Sequence, residues 1–128
     1  MEIFSIITLA LSSLLLLFVG SSRLSNPIKT YLKSSGITLS EDVDLMNEVR
    51  GLSAVMLSAG IIIVLGTFIP EMKMTSHIVA ILIFIGFAIG RITSMLADGS
   101  PNKQLKQGLI FELVLGSMNV VCLVLSLI

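Results

Sequence analysis

An arginine and a glutamate, Arg91 and Glu112, each interrupt a run of apolar residues that is otherwise long enough to cross a lipid bilayer. A charge deep in a membrane helix costs about 2.5–3.5 kcal/mol on insertion scales, so each needs a partner. A guanidinium and a carboxylate in this setting fit three roles. They can form an ion pair that only fixes helix packing, they can line a polar pocket for an anionic ligand, or the carboxyl group can carry a proton.

The two charges are predicted to lie at the same depth in the membrane. Arg91 precedes Asp98, where its apolar run ends, by about seven residues, which corresponds to ~10 Å along a helix. Glu112 follows Lys106, where the next run begins, by about six residues or ~9 Å. The short connection between the runs predicts an antiparallel hairpin. Glu112 is therefore the expected counter-ion of Arg91.

Small and polar residues recur at helical spacing near these charges and predict which helix faces meet. One polar cluster is expected from Asn47, Glu48, Arg50, Arg91, Ser94, Asp98 and Glu112. Close helix packing is expected at Gly51, Gly86, Gly90, Gly108 and Gly116. The only polar residues in the first apolar run are serines and a threonine. We therefore expect its helix to be a plain wall of the bundle, that is, to contribute least to the polar cluster.

Composition identifies the setting as a membrane. Of the 128 residues, 55% are hydrophobic and 12% are charged, whereas soluble domains carry about 25% charged residues. The mean hydropathy is +1.04. The net charge is zero, so there is no overall field that would attract nucleic acid.

The apolar runs predict an all-α protein with four transmembrane helices in one compact bundle, forming a single domain over residues 1–128. A hydrocarbon core of ~30 Å needs about 20 helical residues, and each run is close to that length. The four helices are expected at about 3–20, 47–69, 78–97 and 107–128. Met1-Glu2 is acidic and no typical cleavage site follows, so we expect the first run to be a helix and not a cleaved signal.

A short amphipathic helix is expected at about 27–35, in the long connection after the first run. Asn26 suits the N-cap, Pro27 the first helical position and Gly36 the C-terminal stop. Such a helix either lies on the membrane surface or is an ordinary solvated helix, and the sequence favours neither.

Residues typical of other chemistry are sparse. His77 has no second His or Cys near it in sequence, so we expect a hydrated histidine at the membrane interface and no metal site. Cys122 lies in an apolar stretch and is expected to be a buried thiol. No phosphate-binding loop, nucleophile elbow or catalytic triad motif is present, and we expect no cofactor.

Three stretches, "NEVRG" (47–51), "GRITSMLADGSP" (90–101) and "FELVLG" (111–116), occur in this order, and "SNPIKTYLKSSGI" precedes them. Together they resemble an uncharacterised family of small bacterial four-helix membrane proteins, domain of unknown function 4345. The resemblance covers nearly the whole chain. It implies the four-helix fold and the family positions Asn47, Glu48, Arg50, Gly51, Gly90, Arg91, Ser94, Asp98, Gly99, Pro101 and Glu112. It implies no activity, because none is established for the family.

The sequence favours a non-enzymatic binding or transport-type module for a small polar or anionic solute or a lipid headgroup. The alternative is a structural or accessory membrane subunit, of a partner-stabilising or immunity type, in which the charges only fix helix packing. A third interpretation is a membrane enzyme acting on a lipid, with Glu48 or Glu112 as acid or base. Besides the lipid bilayer, we expect a second copy of the chain as partner, since one small bundle leaves a lipid-facing seam.

Basic residues are unevenly distributed between the connections. The connection after the first run carries Arg23, Lys29 and Lys33, and the one before the last run is also basic, whereas the middle connection has only Lys73. Cytoplasmic loops are enriched in Lys and Arg. We therefore expect a multi-pass protein of the bacterial inner membrane with both termini in the periplasm.

Cysteine labelling tests this orientation. An impermeant maleimide added to intact spheroplasts is expected to modify Thr75→Cys, in the middle connection, and to leave Ser100→Cys, in a basic connection, unmodified. Labelling of position 100 without labelling of position 75 would show that the orientation is reversed.

Overall fold

The computed structural model describes residues 2–128, which form five α-helices and one short 3₁₀ turn at Pro70–Met72. The helices are α1 (Glu2–Ser25), α2 (Pro27–Ser35), α3 (Val43–Phe68), α4 (Lys73–Asp98) and α5 (Lys103–Leu127). Four of them, all except α2, are long and apolar enough to cross a membrane. The predicted all-α fold with four membrane-spanning helices is therefore confirmed, and the chain is a multi-pass membrane protein.

The outer surface of the bundle is apolar. Large hydrophobic side chains point outward on every long helix, among them Phe18 at 72% exposure and Leu82 at 70%. A continuous apolar exterior is unfavourable in water but matches the hydrocarbon of a bilayer. The buried core is small by comparison and includes Leu9, Leu16, Ile63, Phe84 and Leu115.

Helix α1 is central to the packing, which corrects the expectation that it forms a plain wall. It packs along the length of α3 and also contacts α2, α4 and α5, whereas α3 and α5 do not meet within residues 2–128. Its small polar residues are fully buried: Thr8 donates to the carbonyl of Phe4 and Ser12 to that of Thr8, both at 2.7 Å. Because these hydroxyls are satisfied by their own helix, the residues act as small side chains that let other helices approach.

Close packing at glycine occurs mostly at positions the sequence did not single out. A Cβ atom on Gly20 would lie 2.7 Å from the backbone nitrogen of Leu57, and the closest atom to one on Gly60 would be 3.1 Å away, on Leu17. Among the predicted packing glycines, Gly116 has such a neighbour, at 2.5 Å in Ile85. The others have nothing within 4 Å among the described residues, namely Gly51, Gly86, Gly90 and Gly108. The spacing correctly identified helix faces that consist of small residues. It does not reveal whether another helix packs against such a face.

Helix α2 begins and ends at the predicted residues. The Asn26 side chain accepts a hydrogen bond from the Lys29 amide at 3.3 Å, and Gly36 adopts the left-handed conformation with φ 67°. The helix folds back across one end of the bundle, where the Asn102 side chain donates to the Ser35 carbonyl at 2.9 Å. This end of the molecule, which also includes the connection between α4 and α5, is called the α2 end below.

The glycine contacts predict a difference between two Gly→Ala variants. Gly20→Ala places a methyl group against the backbone of α3 and should lower stability by about 1–3 kcal/mol, as overpacking does. The matched control is Gly51→Ala, since a Cβ there meets nothing within 4 Å of the described residues. Its stability should be unchanged or slightly higher, because alanine favours the helix. Thermal unfolding of both variants in one detergent measures the difference, and equal melting temperatures would contradict it.

Candidate functional site

The predicted ion pair joins α4 and α5 near the α2 end. Arg91 Nε donates to Glu112 Oε1 at 2.7 Å, and the two side chains are 26% and 11% exposed. The expectation that Glu112 is the counter-ion of Arg91 is confirmed. The Arg91 guanidinium also lies 5.8 Å from the centre of the Phe87 ring, one helical turn earlier. The pair thus has a hydrogen bond on one side and an aromatic surface near the other.

A second arginine, Arg23, lies in the same region and was not recognised as a site residue from the sequence. It is only 9% exposed, and its Nη2 donates to Ser35 Oγ at 3.1 Å. Its guanidinium sits 4.3 Å from the centre of the Tyr31 ring. Its Nε is buried and has no hydrogen-bond partner among residues 2–128. A buried donor of this kind is rare, and residues 2–128 supply no acceptor for it.

Arg23 was missed because α1 is longer than its apolar run. The apolar run ends at Gly20, so Arg23 was predicted to lie in a loop. It was used only as one of the basic residues that predict the orientation in the membrane. The helix continues to Ser25, and its last turn points Arg23 inward beneath α2. Ser21 and Ser22, which follow Gly20, are compatible with a helix that continues to Arg23, and they could have indicated it.

The two arginines line one cavity of about 570 Å³, called the arginine cavity below. Around them the walls are formed mainly by apolar residues of α3, α4 and α5, such as Leu52, Phe87 and Leu109. Gly86 and Gly90 belong to the lining and are exposed, so the absence of side chains there leaves the cavity open along the outer face of α4. The cavity therefore combines a positively charged inner wall with an apolar opening towards the lipid side of the bundle.

The single polar cluster expected from the sequence is not formed. Ser94 lines the arginine cavity, but its hydroxyl donates to Asp98, which is exposed one turn later, at 3.0 Å. Asn47, Glu48 and Arg50 are exposed on α3 and are outside the lining of this cavity. Arg50 instead donates to the carbonyl of Leu24 near the end of α1. The division follows from the exposed position of these three residues on α3, since Leu52 of the same helix does line the cavity.

Far from the α2 end, His77 is 1% exposed, which corrects the expectation of a hydrated histidine. Its Nε2 lies 2.7 Å from Ser5 Oγ and its Nδ1 lies 2.8 Å from Asn119 Oδ1. Asn119 Nδ2 donates in turn to Ser12 Oγ at 3.0 Å. Helix α4 begins at Lys73, earlier than predicted, so His77 lies inside the bundle and not at its edge. This end is called the His77 end below.

Cys122 is buried near this network, as predicted, with 4% exposure. Within residues 2–128 there is no group of three or more His, Cys, Asp or Glu side chains arranged to hold a metal ion.

Comparison with known proteins places this chain in a family. The family model described as "Domain of unknown function (DUF4345)" matches residues 4–123, and the chain belongs to that family. No curated protein and no solved structure gives a significant match. The resemblance drawn from the sequence motifs is thereby confirmed.

The ion pair predicts unequal effects of removing its two members. Glu112→Gln leaves Arg23 and Arg91, which interact electrostatically with each other, without the acid that faces both. Neither guanidinium can lose its proton, so stability should fall by about 1.5–3 kcal/mol, the range for a hydrogen bond to a charged group. Arg91→Ala should be less damaging, because an isolated carboxyl group can bind a proton.

Thermal unfolding in one detergent provides the measurement, with Asp98→Asn as the control acid, since Asp98 is exposed and on the same helix as Arg91. The charge swap Arg91→Glu with Glu112→Arg should regain part of the lost stability. A Glu112→Gln protein that melts like the parent would rule out a stabilising pair.

Proposed function

We propose that this family member binds an anionic amphiphile in the arginine cavity, that is, a molecule with a phosphate or carboxylate head and an apolar tail. The observation that carries the proposal is a pair of arginines, Arg23 and Arg91, on the wall of a largely apolar cavity. Arg23 is nearly buried, and its Nε lacks a partner among the described residues. Anionic oxygens are the acceptors that form the strongest hydrogen bonds with guanidinium groups.

Charge within the cavity supports an anionic head. Arg23 and Arg91 line the cavity and carry two positive charges, and Glu112, which is outside the lining, pairs with Arg91. Arg23 has no such acid partner among the described residues. Tyr31 and Ser35 hold the Arg23 guanidinium in place through its ring contact and its hydrogen bond. The guanidinium is therefore held in one position at the cavity wall, and preorganised donors bind anions more tightly than mobile ones.

The shape of the cavity supports an apolar tail. Its volume of about 570 Å³ is within the range of ligand sites, and its walls away from the arginines are apolar. Leu82, Gly86 and Gly90 follow one another at four-residue spacing along the open side of α4. A tail leaving the cavity there would enter the hydrocarbon of the bilayer. A lipid phosphate and a soluble anion share the head chemistry, and only the lipid uses this opening.

The proposal includes an orientation of the bundle. The basic connections cluster at the α2 end, so by the enrichment of Lys and Arg in cytoplasmic loops this end faces the cytoplasm of a bacterial inner membrane, with both termini periplasmic. The ligand would then come from the inner leaflet.

The competing role is that of an accessory subunit or homo-oligomer, in which the exposed Gly86 and Gly90 face receives another helix. The open space over both glycines is compatible with that role as well. A bulky side chain at either position would disrupt lipid binding in the first role and helix association in the second.

Native mass spectrometry of the protein in a maltoside detergent, supplied with equal amounts of phosphatidic acid and phosphatidylcholine of the same acyl chains, tests the proposal. Phosphatidic acid should be retained in preference. Arg23→Gln and Arg91→Gln should each weaken its retention by about tenfold or more, equivalent to about 1.4 kcal/mol for each factor of ten. Arg50→Gln is the matched control, because Arg50 is an arginine outside the cavity lining.

Gly90→Leu should weaken lipid retention by filling the opening, whereas Gly51→Leu should not. Millimolar inorganic phosphate that displaces the lipid would identify a soluble anion as the better ligand. Equal retention of the two lipids, or retention that both arginine variants leave unchanged, would overturn the proposal. If Gly90→Leu instead converts an oligomer into a monomer with lipid retention intact, the glycine face serves self-association.

A further inference from the structure

A second, smaller cavity of about 300 Å³ lies at the His77 end and has no part in the proposed lipid site. Its lining includes Ser5, His77 and Lys73, and its remaining wall is partly apolar, with Pro70, Met74 and Leu125. It is called the His77 cavity below. What distinguishes it is that a hydroxyl group on its wall is bonded to a buried imidazole.

The hydrogen-bond directions in this network can be assigned from one fixed group. Asn119 Nδ2 lies 2.8 Å from the Leu115 carbonyl, which can only accept, so the amide nitrogen must be on that side. Asn119 Oδ1 therefore faces His77 Nδ1 and accepts its proton at 2.8 Å. In the neutral imidazole this leaves Nε2 as an acceptor, and Ser5 Oγ donates to it at 2.7 Å.

The resulting order is serine hydroxyl, imidazole and amide oxygen, from three different helices. In hydrolases of the serine type, a base within hydrogen-bond reach activates the hydroxyl, and a third group orients the base. Ser5, His77 and Asn119 have these relations and distances. No sequence motif identifies these residues, because Ser5 and His77 are 72 residues apart along the chain and His77 and Asn119 are 42 residues apart.

We propose that Ser5 is a base-activated nucleophile and that the His77 cavity accepts an ester of a membrane-resident alcohol or acid. The apolar part of the wall suits an acyl chain. Lys73 is the cationic side chain of this cavity, where it forms an ion pair with Glu2, and it must leave that carboxylate to stabilise the oxygen that becomes negative during attack. Asn119 is a positioning residue, because it acts on Ser5 only through His77.

The reaction balances with water as the only co-reactant. The Ser5 oxygen forms a bond to the ester carbonyl carbon while His77 Nε2 takes the hydroxyl proton. The bond from that carbon to the alcohol oxygen then breaks, and the alcohol leaves with the proton from Nε2. Water, deprotonated by the same nitrogen, attacks the acyl-serine, which releases the carboxylic acid and restores the Ser5 hydroxyl.

A small alkyl fluorophosphonate tests the nucleophile directly, since it forms a stable adduct with an activated serine and loses fluoride. The purified protein in detergent should gain one adduct, located at Ser5 by peptide mass spectrometry. Ser5→Ala should abolish it, and His77→Gln should slow its formation by at least about a hundredfold, the lower range of general-base catalysis. Asn119→Ala should slow it as well, by misorienting the imidazole.

Ser53→Ala is the matched control, because Ser53 is a fully buried serine on α3 that donates to its own helix at 2.7 Å, and it should leave the labelling rate unchanged. Circular dichroism and melting temperature are recorded for every variant, so that a labelling rate is compared only between folded proteins. In the folded parent protein, the absence of a Ser5 adduct would overturn the proposal and leave a network that only packs helices. So would an adduct that forms at the same rate in folded His77→Gln.

Discussion

The Arg91–Glu112 hydrogen bond constrains the α2 end of the bundle, because both partners sit within helices that are long and apolar enough to cross the membrane. A guanidinium held in a bilayer must keep its charge, so its position relative to an acid is not free to vary. The 2.7 Å contact therefore sets the register of α4 against α5. Once that register is set, Arg91 lines the cavity beneath α2, and Arg23 reaches the same cavity from α1. The pair neutralises Arg91, whereas Arg23, which is nearly buried, has no salt bridge within residues 2–128.

Sequence reasoning succeeded where one helix or one hairpin contained the whole signal. The depth of Arg91 and Glu112 could be counted from the ends of their own runs, and the cap residues of α2 are local to that helix. It failed where the answer depended on which helices are neighbours. Asn47 and Glu48 have the right spacing for a cluster, but they are exposed, and α3 does not contact α5, which carries Glu112. A periodic pattern in the sequence does not encode either fact.

The burial of Arg23 and His77 was not predicted because it too depends on which helices are neighbours. Arg23 and His77 both lie near helix ends in the sequence, and polar residues at helix ends are usually hydrated. In the fold, α1 is longer than its apolar run and α4 begins before its own, so both side chains are drawn into the bundle. Helix α1 was underestimated for a related reason. The hydrogen-bonding groups of its hydroxyl side chains are paired with carbonyls of the same helix or with His77 and Asn119. A helix face with these polar residues can therefore be buried.

The arrangement of the two polar regions bears on whether the bundle binds or transports. Along α1, buried Leu16 separates Ser12 from Arg23, and along α4, buried Phe84 separates His77 from Arg91. On α5, buried Leu115 similarly lies between Glu112 and Asn119. An apolar layer thus divides the arginine cavity from the His77 cavity in this conformation. A polar solute crossing that layer would lose its hydrogen bonds without replacement, which costs several kcal/mol. This layering therefore supports the proposed binding from one leaflet over transport of a polar solute between the two cavities.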